Sequence, residues 1–507
     1  MEADSAFLQR LPHARYVLAQ AGMIGIVEEG QVDHPEQEQI VQTDMMPSLE
    51  YGRYLRTQQT RSASMGIDAI ICLVVFAGLV ICITTNVIHM TLAALLGVSI
   101  LMVTGIMTPE VSSAGILAVH PINSLFIGSM VLIRCLEPTG IFPVLAAGLF
   151  RLSAGDGRRL LLLLFGIVTP LCALFPNATV VLLLIPLCIE ISRLFHMPAV
   201  PLICLLIFLA NASGLLTLVG GVPSFIVGNA LGMNYMTFLR EAAPGGLIAI
   251  AALLLCAPVL FPTVWRAAHQ PMRPGEFSSR VRIENPKALA LLVLILLGAI
   301  LSFLFGQHLP MPVSPVATAV VAGTLALVVA QLTGLAHFGQ IIRSIDWETI
   351  VFFDCVFMIA AAMEGSGVFT AVGQALSGVL GRDVLFTVLW LLFTMGAISS
   401  VMPNIPLAAV MVPTLAVYLA DVGILASADL TAGGEVPPEA KAIMLAMLFG
   451  VTLGGNATMI GAVPNIIAVT AARKAGESVT FTSFARVGVP VALVQLVAVA
   501  IWISWKI

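Results

Sequence analysis

Apolar runs near 20 residues recur along this chain and constrain its fold more than any other feature. Ile67–Thr84, Val87–Met107, Gly246–Val264 and Ala288–Phe305 are examples. Each is long enough to cross a bilayer core of about 30 Å as a helix. Only 10% of the 507 residues are charged, and 59% are hydrophobic. A soluble domain carries about 25% charged residues. The chain is therefore read as an all-α polytopic membrane protein, with the lipid bilayer as its solvent and the plasma or inner membrane as its expected site.

Other features exclude more than they assign. A net charge of −4 names no partner, and nucleic acid is not expected. Cys72, Cys82, Cys135, Cys172, Cys188, Cys204, Cys256 and Cys355 all lie in apolar segments without a CxxC pair, so buried thiols are expected. The histidines show no ligand spacing, and no metal beyond a transported Na⁺ is expected. Residues 1–66 form a polar tail, with a short helix expected around Arg15–Val27 and no signal-peptide pattern.

The chain repeats itself. LFPNATVVLLLIPL (Leu174–Leu187) has a partner in VMPNIPLAAVMVPT (Val401–Thr414). Pro176 and Pro403 are 227 apart, as are Asn177 and Asn404, and Pro186 and Pro413. EPTGIF (Glu137–Phe142) matches EGSGVF (Glu364–Phe369) at that offset. Gly214, Thr217, Gly220 and Pro223 match Gly455, Thr458, Gly461 and Pro464 at an offset of 241. FLREAAP (Phe238–Pro244) then echoes FARVGVP (Phe484–Pro490).

This ordered series points to two duplicated halves, 67–265 and 288–507, joined by a polar linker at 266–287. Each half is read as about five crossings plus a re-entrant hairpin. Crossings are expected at 67–84, 87–107, 122–150, 200–231 and 243–264, then at 288–305, 312–333, 347–370, 443–471 and 484–505. The hairpins are 160–190 and 385–418, with limbs each too short to cross alone. An odd number of crossings turns the second copy upside down, the inverted-repeat plan of many secondary transporters. Threaded this way, Arg151, Arg158, Arg159, Arg193, Arg266, Arg273, Arg280, Arg282, Lys287, Arg343, Arg473, Lys474 and Arg486 share the linker side. Outside the tail, the opposite side carries Arg240, Arg382, Lys441 and Lys506. Positive-inside bias makes the linker side cytoplasmic. The tail with its arginines then lies outside.

Non-helical backbone survives at membrane depth only inside protein or beside a water-filled cavity. Proline breaks a helix and asparagine starts one well. Pro176-Asn177 and Pro403-Asn404 are thus expected to end one limb and begin the next. The glycine-rich segments Ser213–Pro223 and Gly454–Pro464 can unwind a crossing helix. Four half-helix ends would then face one another. Helix N-termini suit anions, and exposed carbonyls suit Na⁺. Plain kinks are the other reading of each break taken singly, since glycine and proline are common in membrane helices.

FPNATVVLLLIPL, MPNIPLAAVMVP, ANASGLLTLVGGVPSFIVG and LGGNATMIGAVPNIIAV resemble segments of the ion transporter superfamily. That group includes arsenite permeases, NhaD-type Na⁺/H⁺ antiporters, the pigment-cell P protein and the divalent anion/sodium symporters, which are citrate transporter-like. The resemblance implies a homodimer of chains, each with inverted repeats, a re-entrant hairpin and a broken helix per repeat. It places Asn177, Ala178 and Thr179 at the first hairpin tip and Asn404 and Ile405 at the second. It gives Ser213, Gly214 and Thr217, then Gly455, Asn456 and Thr458, to the unwound helices. Where arsenite permeases and NhaD-type antiporters carry Asp before the tip Asn, this chain has Pro176 and Pro403. Neutral tips beside helix N-termini fit an anion better than a cation.

Arg134, Glu137, Glu190, Asp354 and Glu364 are the remaining charges within apolar segments. The repeat-matched Glu137 and Glu364 are candidates either for a proton relay or for helix-end caps. No catalytic cluster at useful spacing supports a membrane-embedded enzyme. The leading expectation is an ion-coupled secondary transporter for a small anion, an inorganic oxyanion or a carboxylate. It would work by alternating access with Na⁺ or H⁺ as coupling ion and no other cofactor. Na⁺/H⁺ or arsenite-type antiport is the alternative, and a channel on the same fold stays open.

Overall fold

The computed structural model describes residues 66–85, 87–154, 156–194, 197–269, 283, 285–306, 312–430, 436–474, 476–477 and 479–507. The tail, with its expected helix, and most of the linker lie outside these. No strand occurs among the described residues.

Apart from the short helices Tyr235–Glu241, Pro262–Ala267 and Phe338–Arg343, the α-helices among the described residues come in two matched series of nine. The first half holds α1 (Ile67–Thr85), α2 (Met90–Val103), α3 (Pro109–Leu136), α4 (Ile141–Ser153), α5 (Gly157–Leu174), α6 (Asn177–Leu194), α7 (Ala199–Ser213), α8 (Val222–Ala230) and α9 (Ala243–Leu260). The second holds α10 (Pro286–Phe305), α11 (Pro315–Leu332), α12 (Trp347–Gly365), α13 (Val368–Leu380), α14 (Val384–Ser399), α15 (Asn404–Asp421), α16 (Pro438–Gly454), α17 (Val463–Lys474) and α18 (Phe481–Lys506). Local chemistry explains several boundaries. Asp156 and Asp383, 227 residues apart, cap α5 and α14 by accepting from the N–H groups of Arg158 and Phe386, each at 2.9 Å. Proline opens α3, α10, α11 and α16 at positions where no N–H is needed.

Packing repeats under exchange of the halves. α2 lies on α12 and α11 lies on α3; α6 lies on α17 and α15 lies on α8. α3 meets α12, and α9 meets α18. This is the pattern of a two-fold relation between the halves. Lipid gives helices no hydrophobic reason to associate, so close packing of small residues holds them. A methyl on Gly115 of α3 would stand 2.6 Å from Met358 Cα of α12. One on Gly450 of α16 would stand 2.6 Å from the Leu392 carbonyl oxygen of α14.

Among the described residues, eight helices are long and apolar enough to cross a membrane, or nine if the bent pair α12–α13 is one span. Three expectations need correction. The crossing expected at 87–107 is helical only over the 14 residues of α2, about 21 Å at 1.5 Å per residue and short of the bilayer core. The crossing placed at 122–150 is really α3, which starts at Pro109, followed by a turn and the separate helix α4. The turn falls at Gly140, whose φ of 77° is left-handed; Gly367 repeats it with φ of 82° between α12 and α13, which meet at 72°. That conformation favours glycine, which explains the matched EPTG and EGSG. The hairpin limbs are also longer than expected. α5, α6 and α15 have 18 residues each, about 27 Å at 1.5 Å per residue. Both limbs of each hairpin pack along one broken helix, α5 and α6 on α7, α14 and α15 on α16.

Candidate functional site

The breaks converge on one cavity. Four helix N-termini line it: Asn177 and Ala178 from α6, Asn404 and Ile405 from α15, Val222 and Ser224 from α8, Val463 and Pro464 from α17. Phe126 and Met130 of α3 and Phe353 of α12 form an apolar wall. The cavity volume is about 50 Å³. A water needs at least about 10–15 Å³ on that scale, so the space suits a few waters or one small ion.

The first N–H groups of a helix have no partner within it. No side chain caps α8 or α15 either. At α6 the cap position belongs to Pro176, whose carbonyl accepts from Thr179 N–H at 3.0 Å and Val180 N–H at 3.2 Å. Asn177 is thus the first helical residue rather than the cap, and its amide is left for the cavity. The amide oxygens of Asn177 and Asn404 and the hydroxyl of Thr452 are buried without a partner, and all three residues line the cavity. Buried polar atoms are nearly always paired. Three orphans around one space mark a surface built for a polar ligand.

A matched clamp fixes each tip to its broken helix. In the first half the Thr217 hydroxyl donates to the Ala173 carbonyl and accepts from Gly220 N–H at 3.1 Å. A methyl on Gly220 would meet the Cys172 carbonyl oxygen at 2.7 Å. In the second half the Thr458 hydroxyl donates to the Ser400 carbonyl, and a methyl on Gly461 would meet the Ser399 carbonyl oxygen at 2.6 Å. Every one of these positions is related by the two sequence offsets.

Of the sequence candidates, the cavity brings together Asn177, Ala178, Gly214, Asn404 and Ile405. Gly214 is needed beside the tip, since a methyl there would stand 2.5 Å from the Asn177 amide nitrogen. Thr217 and Thr458 act in the clamps. Thr179 sits in the first turn of α6, and the Ser213 hydroxyl bonds back to the Leu209 carbonyl at 2.7 Å. Gly455 packs against the Gly461 carbonyl, and Asn456 is buried in an amide network. Glu137 and Glu364 are exposed at the ends of α3 and α12, away from the cavity lining. Glu137 pairs with Arg134 at 2.9 Å.

That network was not anticipated. The Asn211 amide of α7 donates to Asn456 Oδ1 at 2.8 Å and Asn465 Oδ1 at 2.9 Å. Asn456 donates to Gln495 Oε1 at 2.7 Å, and Asn465 donates to the Gly455 and Thr458 carbonyls at 2.7 and 2.9 Å. Asn211 and Asn465 lie inside the repeated motifs, so the sequence carries a signal for both. Gln495 carried the signal of one amide in an apolar helix. Asp346, Thr349 and Thr452, which also line the cavity, had no motif to point to them.

Comparison with known proteins agrees with this architecture. An uncharacterized transporter of Synechocystis is 37% identical over 441 residues, which cover 87% of this chain and 98% of that protein. The human P protein is 23% identical, over 90% of this chain and 61% of its own length. The crystal structure of the YdaH transporter of Alcanivorax borkumensis shares the fold. Its TM-score is 0.55 at 16% identity, over 78% of this chain and 86% of that one. The citrate transporter family, CitMHS, matches residues 79–432. On that match and on the nearly full-length Synechocystis relative, the chain belongs to the CitMHS citrate transporter family of membrane transport proteins.

Proposed function

We propose that this transporter is a secondary active carrier of a small anion, moved by alternating access and driven by a Na⁺ or H⁺ gradient. One observation carries the reading: four half-helix N-termini, two from each half, open on a single small cavity. Aligned peptide dipoles and free N–H groups at such ends favour negative charge. Asn177 and Asn404 line the cavity as repeat partners, and each amide, its oxygen unpaired, can turn its N–H₂ to an anion. The family's description as citrate transporters favours a carboxylate over an inorganic oxyanion.

The halves 67–265 and 288–507 are proposed to lie in opposite orientations, with the linker 266–287 in the cytoplasm. The site then sits between two oppositely running copies of one unit. Rocking one copy against the other would expose the cavity to either side in turn. The working form is proposed to be a homodimer in the plasma or inner membrane.

Purified protein in proteoliposomes tests this with a panel of carboxylates and oxyanions under imposed Na⁺ or pH gradients. Saturable uptake of one anion class, accelerated by one gradient, is expected. Transport of arsenite, or exchange of Na⁺ for H⁺ with no anion present, would replace it with the antiporter reading.

A further inference from the structure

α3 and α12 cross at the boundary between the halves, and a carboxylate lies in that crossing. Asp354 is near the middle of α12 and half-buried. Asn123 of α3, two residues beyond Pro121, donates its Nδ2–H to Asp354 Oδ1 at 2.7 Å. The other end of that amide is the second observation: Asn123 Oδ1 is buried with no hydrogen-bond partner. The anion cavity uses neither residue.

We propose that Asp354 and Asn123 form a proton-binding site separate from the anion cavity. The ionised carboxylate accepts from Asn123 Nδ2, as seen. When a proton from hydronium binds one carboxyl oxygen, the new O–H can donate to Asn123 Oδ1 once the amide has turned over. The Nδ2–H bond to the carboxylate is given up as the amide turns, the orphaned oxygen gains a partner in its place, and the hydronium that delivered the proton leaves as water. Each protonation state therefore has its own hydrogen bond. Ionisable residues within membrane spans commonly serve such relays.

Among the described residues, no other charge pairs with Asp354. Five helices pack on α12, namely α1, α2, α3, α13 and α15. Their acids and bases are Asp68 on α1, Glu110, His120 and Arg134 on α3, and Asp421 on α15. Asp68 and Glu110 stand in first turns, His120 is exposed, Arg134 pairs with Glu137, and Asp421 accepts from Ser377. On the α12 segment itself, Asp346 caps Thr349, Glu348 pairs with His89 at 3.3 Å, and Glu364 is exposed at the far end. The thiols on these helices are Cys355, next in sequence, Cys72 and Cys82 of α1, and Cys135 of α3. Among the described residues, none of these pairs with Asp354.

The pair also has a route to the cavity. Phe126 follows Asn123 by one turn, and Phe353 precedes Asp354. Their rings meet edge to face with centroids 5.8 Å apart, and both line the cavity. A reversed hydrogen bond at Asn123 would act on the wall that the anion touches. This consequence rests on the anion-carrier reading; the proton site itself does not.

Infrared difference spectra of the purified full chain, taken between neutral and acid pH, test the site without any substrate. A protonated-carboxyl band is expected in the wild type, lost in Asp354→Asn and shifted in Asn123→Ala. An unchanged band in Asp354→Asn overturns the proposal. Asp354→Glu, which keeps the group, should move the band rather than remove it and serves if the Asn variant does not fold. In proteoliposomes, an inward proton gradient should stimulate wild-type uptake and lose that effect in Asp354→Asn. Retained stimulation in that variant also overturns the proposal. If no anion is carried by any protein, the carrier reading falls, while the band still decides this one.

Discussion

The two broken segments, 214–221 and 455–462, have the same plan and different reinforcement. In the second half, one Asn465 amide bonds two freed carbonyls and accepts from Asn211, while Asn456 and Gln495 extend the net to the Ala249 carbonyl at 3.3 Å. The matched position in the first half is Ser224, whose single hydroxyl reaches only the Gly214 carbonyl, at 2.8 Å. Where the second half has Asn456, the first has Leu215. Duplication thus preserved the clamps but cross-braced one copy. On the alternating-access reading proposed above, the braced second-half break would serve as the fixed reference. The first-half break, held by fewer bonds, would be the one free to rearrange.

The sharpest way to break that comparison is to remove the brace. Asn465→Leu keeps the heavy-atom count and branching but orphans two buried carbonyls and one Asn211 bond. Each unpaired buried group costs about 1–3 kcal/mol, so a loss of about 3 kcal/mol or more is expected. Ser224→Ala removes one bond and should cost about 1 kcal/mol. Thermal unfolding in detergent measures both, and equal shifts would erase the asymmetry. Next in size are the tips, where the halves should agree. On the proposed anion-carrier reading, Asn177→Ala and Asn404→Ala would each remove a hydrogen bond to the charged ligand, worth about 1.5–3 kcal/mol. Anion affinity should fall about 10- to 100-fold in each, read from uptake kinetics or competition, with expression intact. An unchanged affinity in both would detach the tips from the ligand.

What could be read from the sequence follows from where the physics is local. Apolar length, a helix-breaking proline and a left-handed glycine act on their own neighbours, so the spans, the two Pro-Asn breaks and the duplication were visible in residues alone. Gly214 and Gly220 were readable as points of unwinding, though not as the places where a tip amide or the Cys172 carbonyl comes to rest. The start of α3 at Pro109 was missed because 109–121 mixes Ser, His and Glu with apolar residues, and buried contacts with α11 and α12 outweigh that polarity. The Asn211–Asn456–Asn465–Gln495 net joins residues up to 254 apart between the halves, as in the Asn211–Asn465 bond, and no local pattern encodes such a meeting.

Smaller effects separate ligand geometry from scaffold. Gly214→Ala would place a methyl against the far end of the Asn177 side chain, 2.5 Å from its nitrogen, and that side chain can swing away. Uptake should suffer, about tenfold, with little change in melting, since moving the amide misplaces a ligand contact without breaking the core. Gly455→Ala instead drives its methyl to within 2.9 Å of the Gly461 backbone carbonyl, which cannot swing. Overpacking of this kind costs about 1–3 kcal/mol, so melting should fall together with uptake. The reverse pattern would make the first-half break the rigid one. The smallest effect is a control. Thr217→Val and Thr458→Val each remove the clamp hydroxyl that ties a tip to its own broken helix. Because both hydroxyls donate to matched carbonyls, of Ala173 and Ser400, each should lose about 1 kcal/mol, and by the same amount within error. A larger loss at Thr217 would mean that the first half, lacking an amide net, leans on its clamp more heavily. The asymmetry would then extend from the brace to the hairpin tip itself.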